Sequence, residues 1–470
     1  MSASFTRMSA RELHSLIVHR EISPVEVTRA ALDAAFATQG SLNAFFLIFE
    51  EEAMEAARVA EGAVMQGQDL GVLHGIPFSA KDLMAVKGAR YSSGSRAMAD
   101  NIAVVDAPAV ERAKAAGAIL IGKTTTSEFG CKPVGDSPLT GITRNPWNLD
   151  KTPGGSSAGA AASVAAFVTP FALGTDGGGS IRIPCSFSGL AGIKGQFGRV
   201  PVWPTSATPT LAHVGPIARD IADAARVFAS IAGYDPRDPF SVAGPVPEVE
   251  AAVGAPIRGM RVAWSPTLGY ARPDPEVLRI TEAAARRLSD LGARVEEVDA
   301  IFAADPADMW IAEFYAGVGT RLRSVVEQRR DLLDPSVADV LDLALGQEMR
   351  RYYETVFDRY ALRDEMRCFF ERYDALISPV LPVTSLEAGS DMPAHLTDRN
   401  LVSWVFYTYP FNLTGHPAAS VCAGVDANGM PVGLQIVTRA LAEADLVRLA
   451  SAVERLRPEG PLTPPLFAGT

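Results

Sequence analysis

Two glycine loops carrying serines, PGGSSAG at 153–159 and GTDGGGSIRIP at 174–184, flank an alanine-rich run. Glycines let a backbone approach a ligand closely, and consecutive loop N–H groups form an anion-binding nest. The run Gly177, Gly178, Gly179 ahead of Ser180 therefore has the make-up of an oxyanion hole ending in a nucleophile, and equally that of a flexible turn. A serine hydroxyl needs a base, and no histidine lies near in sequence. Upstream, LHGIPFSAKDL sets Lys81 among apolar residues. A lysine with an ordinary pKa of about 10.4 is a poor base at neutral pH, but burial disfavours its charged form. Lys81 is thus either a desolvated base or a surface charge.

Two further patterns compete for this chemistry. GAILIGKT at 117–124 satisfies the phosphate-loop pattern G-x-x-x-x-G-K-[ST]. Its four middle residues, Ala118 to Ile121, favour a buried strand, so the strand would lie inside the pattern where a phosphate-cradling loop is required. Around Ser157, G-S-S-A-G fits a nucleophile elbow, but an elbow follows a buried strand and the residues before it are the polar WNLDKTP. Both readings are set aside.

Lysines and serines must be held by elements. The first 65 residues read as helical, with Pro24 after Ser23 opening PVEVTRAALDAAFA and a second run in EEAMEAARVAEGAV. From about residue 66 to 235, short apolar runs end in Gly, Pro, Ser or Thr, as strands feeding functional loops do. GYDPRDPFSVAGPVPEVEAAVGAP reads as a surface excursion. After it, MRVAWSP, PEVLRITEAAARRLSDLG and RVEEVDA resume a strand, helix, strand rhythm. Residues 300–372 are mainly helical, and DALISPVLPV, PAASVCAGV and PVGLQIV supply late strands.

The chain has 470 residues, 48% hydrophobic and 21% charged, which is ordinary globular usage. A net charge of −11 argues against nucleic acid or an anionic membrane as partner. Arg11, Glu12 and Arg20 interrupt the N-terminal apolar residues, so neither a signal peptide nor a span is expected, and the cytoplasm is the expected location. Four scattered cysteines and six histidines without ligand spacing point to no disulfide framework and no metal. No cofactor is expected.

Together these segments resemble the amidase signature family. The likeness rests on GIPFSAKD, GKTTTSEF followed by NPWN, PGGSSAG, GTDGGGSIRIP with GIKGQFGRVP, and NLTGHPAASV with GMPVGLQ, spanning roughly residues 10 to 455. It implies one α/β/α layered domain over 1–470, a large mixed twisted sheet with helices on both faces. It also implies a Ser-Ser-Lys triad: Ser180 as nucleophile, Ser156 as bridging serine after a cis bond to Gly155, and Lys81 as base. Residues 177 to 180 would hold the oxyanion. Asp176 and Arg182 are expected to pair behind the loop, with Gly155 and Ser157 supporting it. Gly130, Cys131 and Arg199 are candidates to touch substrate.

Some residues depart from the family's habit: Ala158, Gly177, Gly195 and Gln196 stand where Gly, a β-branched residue, Pro and Thr are common. These leave the triad intact and bear on substrate and loop stiffness. The expected activity is hydrolysis of aryl or medium-sized apolar amides, or of aryl carbamates or esters, by a monomer or homodimer. Ile183 offers no arginine to clamp a small acid, while Trp404, Phe406, Tyr407, Tyr409 and Phe411 are candidates for an apolar pocket. The family also holds the A subunit of the tRNA-dependent amidotransferase, whose usual Asp-Gln pair is replaced here by Ala212, His213 and Val214 in LAHVGP. That amidotransferase component, or a silent binding protein of the same fold, is the alternative.

Overall fold

Side chains of a strand alternate between faces, so an apolar run with no polar alternation needs cover on both. A computed structural model describes residues 5–68, 70–298 and 300–468. In chain order the strands are β1 (Phe45–Ile48), β2 (Pro77–Lys81), β3 (Ile119–Thr124), β4 (Asp136–Ser137), β5 (Gly141–Ile142), β6 (Phe171–Asp176), β7 (Ala191–Lys194), β8 (His213–Ala218), β9 (Arg261–Trp264), β10 (Arg294–Glu297), β11 (Ala375–Pro379), β12 (Ala418–Val425) and β13 (Pro431–Thr438). β4 and β5 pair by themselves. The others form one 11-stranded mixed sheet in the order β1-β3-β2-β6-β8-β7-β12-β13-β11-β9-β10.

The two faces are read directly in β6. Phe171 and Leu173 enter one core with Phe228 and Leu446 of the helices Ile221–Ile231 and Glu443–Leu456. Ala172, between them, enters the other core with Ala161 and Cys185 of the helices Ala158–Ala165 and Arg182–Ser188. β3, β2 and β6 run parallel, so Thr124, Lys81 and Asp176 all end at one edge of the sheet. β8 runs antiparallel to β6 and starts there, with His213 opposite Asp176. Loops outside the carboxyl ends of parallel strands are where α/β sheets hold ligands.

The expected helices form: Ser23 caps Pro24–Leu42 in a capping box with Glu26. Within GAILIGKT, Ile119–Thr124 forms the fully buried β3. The excursion at 233–256 is irregular apart from Val249–Ala252. Two parts differ from expectation. The first 65 residues are not all helix, because the β-prone FFLI, too short for a helix, becomes edge strand β1 against β3. β8, in the segment HVGPIA, was not expected as a strand. Asp299, inside RVEEVDA, lies outside the described residues. Within 300–372 the helices are Ala307–Arg321, Arg323–Gln328, Pro335–Leu345 and Met349–Arg372. Among the described residues no helix is long and apolar enough to cross a membrane.

Phe78 of β2 and Phe171 of β6 stack with ring centroids 5.4 Å apart and are fully inaccessible to solvent. Phe171→Ala should therefore lower stability by about 3–5 kcal/mol, read as a lower urea midpoint at an unchanged m value.

Candidate active site

Lys81 is the last residue of β2 and has no solvent exposure. Its Nζ lies 2.7 Å from Ser156 Oγ and 2.9 Å from Thr175 Oγ1, and no carboxylate forms an ion pair with it among the described residues. Burial pushes the Lys81 amine well below the usual lysine range, against a weaker upward pull from Asp176.

Ser156 is buried and follows a cis peptide bond from Gly155. A Cβ on residue 155 would sit 2.1 Å from the Val134 carbonyl oxygen, so only glycine fits. Ser157 Oγ donates to Thr175 O at 3.2 Å, tying the serine turn to the end of β6.

Ser180 is half-buried, and its hydroxyl makes no hydrogen bond among the described residues. It lies with Ser156, Thr175 and Gly177 on the wall of a cavity of about 320 Å³. A smaller space of about 20 Å³, bordered by Gly178, Ile183, Trp310, Val405 and Tyr409, meets it at Ser180. Gly130 borders both spaces.

The glycine loop is fixed from several sides. Asp176 Oδ1 accepts from Gly179 N at 2.8 Å and Oδ2 from Ile181 N at 3.3 Å. Gly179 is therefore removed from the expected oxyanion donors, since its N–H is held inside the loop. The amides of Gly177, Gly178 and Ser180 have no protein acceptor among the described residues. Trp310 Nε1 donates to Gly177 O at 2.8 Å and Thr408 Oγ1 to Gly178 O at 2.6 Å. In a trans peptide the N–H points opposite to the C=O. Trp310 thus turns the Gly178 N–H away from itself, as Thr408 turns that of Gly179 toward Asp176.

Asp176 and Arg182 form a fully buried pair, with Arg182 Nε 3.0 Å from Oδ2 and Nη2 2.9 Å from Oδ1. Arg182 also donates to Thr408 O at 2.9 Å, Gln435 Oε1 at 2.7 Å and Asn412 Oδ1 at 2.7 Å. Burial alone would push the Asp176 carboxyl up, but the guanidinium, with Lys194 and Asn412, holds it well below the usual range.

Other expected residues sit elsewhere. Arg199 is buried with its Nε 3.1 Å from Glu443 Oε1, fastening its loop to the Glu443–Leu456 helix and not bordering the cavity. Cys131 is buried off the cavity wall, its carbonyl accepting from Tyr315 Oη at 3.0 Å. Of the C-terminal aromatics only Tyr409 borders the site; Trp404, Phe406, Tyr407 and Phe411 are core. The aromatic wall comes instead from Tyr91, Phe129, Trp203 and Phe314. Lys123 pairs with Asp82, both buried, and donates to Arg90 O at 2.7 Å. Asn412, Gln435 and Thr408 received no role from the sequence. Their only signal is a polar side chain placed in an apolar segment.

A family model described as amidase matches residues 26–447. The chain belongs to the amidase signature family. This amidase is 35% identical over 461 residues to an acylamidase of Rhodococcus erythropolis, covering 96% of each chain. It is also 35% identical over 487 residues to the A subunit of the glutamyl-tRNA(Gln) amidotransferase of Moorella thermoacetica, covering 96% of this chain and 98% of the relative. The crystal structure of a bacterial aryl acylamidase superimposes with a TM-score of 0.91 at 30% identity, covering 96% of both. The amidase is an amidohydrolase with an α/β fold around a large mixed sheet.

The buried amine has a measurable signature. Because the folded pKa of Lys81 is lowered, the unfolded chain holds one more proton at this site between that value and about 10.4, and stability rises with pH across this window. The stability of wild type minus that of Lys81→Met should therefore climb with pH on the approach to 10.4, at up to about 1.4 kcal/mol per pH unit, and flatten above 10.4. Urea unfolding at each pH measures it; a pH-independent difference would rule out a neutral Lys81.

Proposed function

We propose that this amidase hydrolyses C–N bonds of aryl or medium-sized apolar amides through an acyl-enzyme on Ser180, with Ser156 and Lys81 as proton relay, and that aryl carbamates and esters enter the same site. The observation that carries this reading is the buried Lys81, without a carboxylate ion pair among the described residues and 2.7 Å from Ser156, which shares a cavity wall with Ser180. The similarity to an acylamidase and to the structure of an aryl acylamidase supports the substrate class. The apolar lining by Leu83, Phe129, Trp203 and Phe314 suits an aryl body.

In the first half-reaction neutral Lys81 takes the proton of Ser156 as Ser156 takes that of Ser180. Ser180 Oγ bonds to the carbonyl carbon, and the oxygen becomes an oxyanion facing the free amides of Gly177, Gly178 and Ser180. Collapse breaks the C–N bond, and the proton returns through Ser156 to the leaving amine. Water then loses a proton to the same relay, attacks the acyl carbon and releases the acid and Ser180. Asp176 and Arg182 keep the loop in shape. A small-molecule substrate suffices for every step, which favours a free-standing hydrolase over a component of an amidotransferase.

A 4-nitroanilide or an aryl carbamate screened without added metal should be turned over, and a fluorophosphonate should label Ser180. Ser180→Ala should lose both, and full activity in that variant would sink the nucleophile. Since the neutral amine is the active form and its pKa is lowered, kcat/KM should rise through one acid limb far below 10.4 and stay high into the alkaline range. A limb at the ordinary lysine value would exclude Lys81 as base.

A further inference from the structure

Beyond the serine wall the main cavity is lined by apolar residues together with the neutral polar Ser93, Asn101, Thr205, Ser206 and Thr208, and among the described residues only two acidic or basic side chains border it apart from His213. His213 is buried, its Nδ1 2.8 Å from Leu211 O, and burial beside Lys194 pushes its pKa well down, leaving it neutral. Asp176 is matched to Arg182. Arg321 is exposed and has neither hydrogen bond nor ion pair among the described residues.

Its position is set by a helix. Phe314, Val318 and Arg321, at i, i+4 and i+7 of Ala307–Arg321, share one face, and all border the cavity. The row begins against the catalytic loop, since a Cβ on Gly177 would meet the Phe314 ring at 2.9 Å. Seven residues at 1.5 Å rise place Arg321 roughly 10 Å farther along. Tyr91, which also borders the cavity, feels its charge: burial pushes that phenol up, and Arg321 draws it back. The helix thus lays out an apolar slot with the nucleophile at one end and a free cation at the other.

We propose that Arg321 determines specificity, selecting amides that carry a carboxylate at the far end of an apolar body that runs along the helix from Phe314, roughly 10 Å of helix rise. This rests on Ser180 being the nucleophile. The guanidinium gives such a carboxylate a charge-assisted partner with a fork suited to bidentate binding, which the slot otherwise lacks. The residues after the nucleophile offer no such clamp, since Ile183 is apolar and Arg182 is committed to Asp176. The cation comes instead from an element far away in sequence.

The test compares mono-4-nitroanilides of pimelic, suberic and sebacic acids with their methyl esters, and a second series of acetylated aminophenylalkanoic acids with theirs. The two series put the carboxylate on the acyl or the amine side, and the one that responds shows which half lies along the helix. In that series wild type should favour the acid by about tenfold in kcat/KM. Arg321→Ala should erase the preference while leaving the ester within about twofold, and Arg321→Glu should transfer it to an ω-amino analogue. Equal rates for acid and ester in both series, or equal losses on both in Arg321→Ala, would overturn the proposal while esters still turn over. If no substrate turns over and Ser180 resists labelling, the serine-hydrolase reading fails and this one with it.

Discussion

A primary amine kept out of water without an anion beside it is the constraint around which this molecule is arranged. In the proposed relay Lys81 acts as a base only while desolvation keeps it neutral, and any unmatched carboxylate nearby would favour its proton. Among the described residues two buried carboxylates come close in sequence or space, and each has its own cation. Asp82, the next residue, is matched by Lys123; Asp176, at the end of the neighbouring parallel strand, is matched by Arg182. A buried ion pair is weak evidence of stability in itself. Here the two pairs make sense as shielding, leaving Lys81 to hydroxyls alone.

Arg182 also works as a junction. Its five donors reach the aspartate, the Thr408 carbonyl, Asn412 and Gln435, so the loop after β6, the segment 408–412 and β13 meet on one guanidinium. Lysine has no planar fork and could not hold these directions at once. The loop needs such holding because glycines give it little intrinsic order.

Much of this was legible in the sequence. The glycine-serine loops, the apolar setting of Lys81 and the strand inside GAILIGKT are local patterns, and local physics decides them. The Asp176–Arg182 pair was legible because two opposite charges flank one short loop. What escaped depends on contacts distant in the chain. FFLI became a strand only because β3 offers an edge. Arg199 turned to Glu443, 244 residues away, and the pocket aromatics came from other loops than those expected. The missing donor at Gly179 follows from a hydrogen bond three residues back, which composition does not reveal.

Gly177 and Gly178 have the widest reach. Side chains on either would collide with Phe314 and Trp310, so the bulk that a β-branched residue would supply within the loop is supplied by a helix over 130 residues later, 133 in the case of Trp310 and Gly177. The same helix carries Val318 and Arg321 along the slot. Shape of the cavity and stiffness of the glycine loop are therefore one inherited unit. A lineage that resculpts this helix for a new molecule also retunes its own turnover, and one that restores a side chain at 177 must first thin the aromatic pair above it.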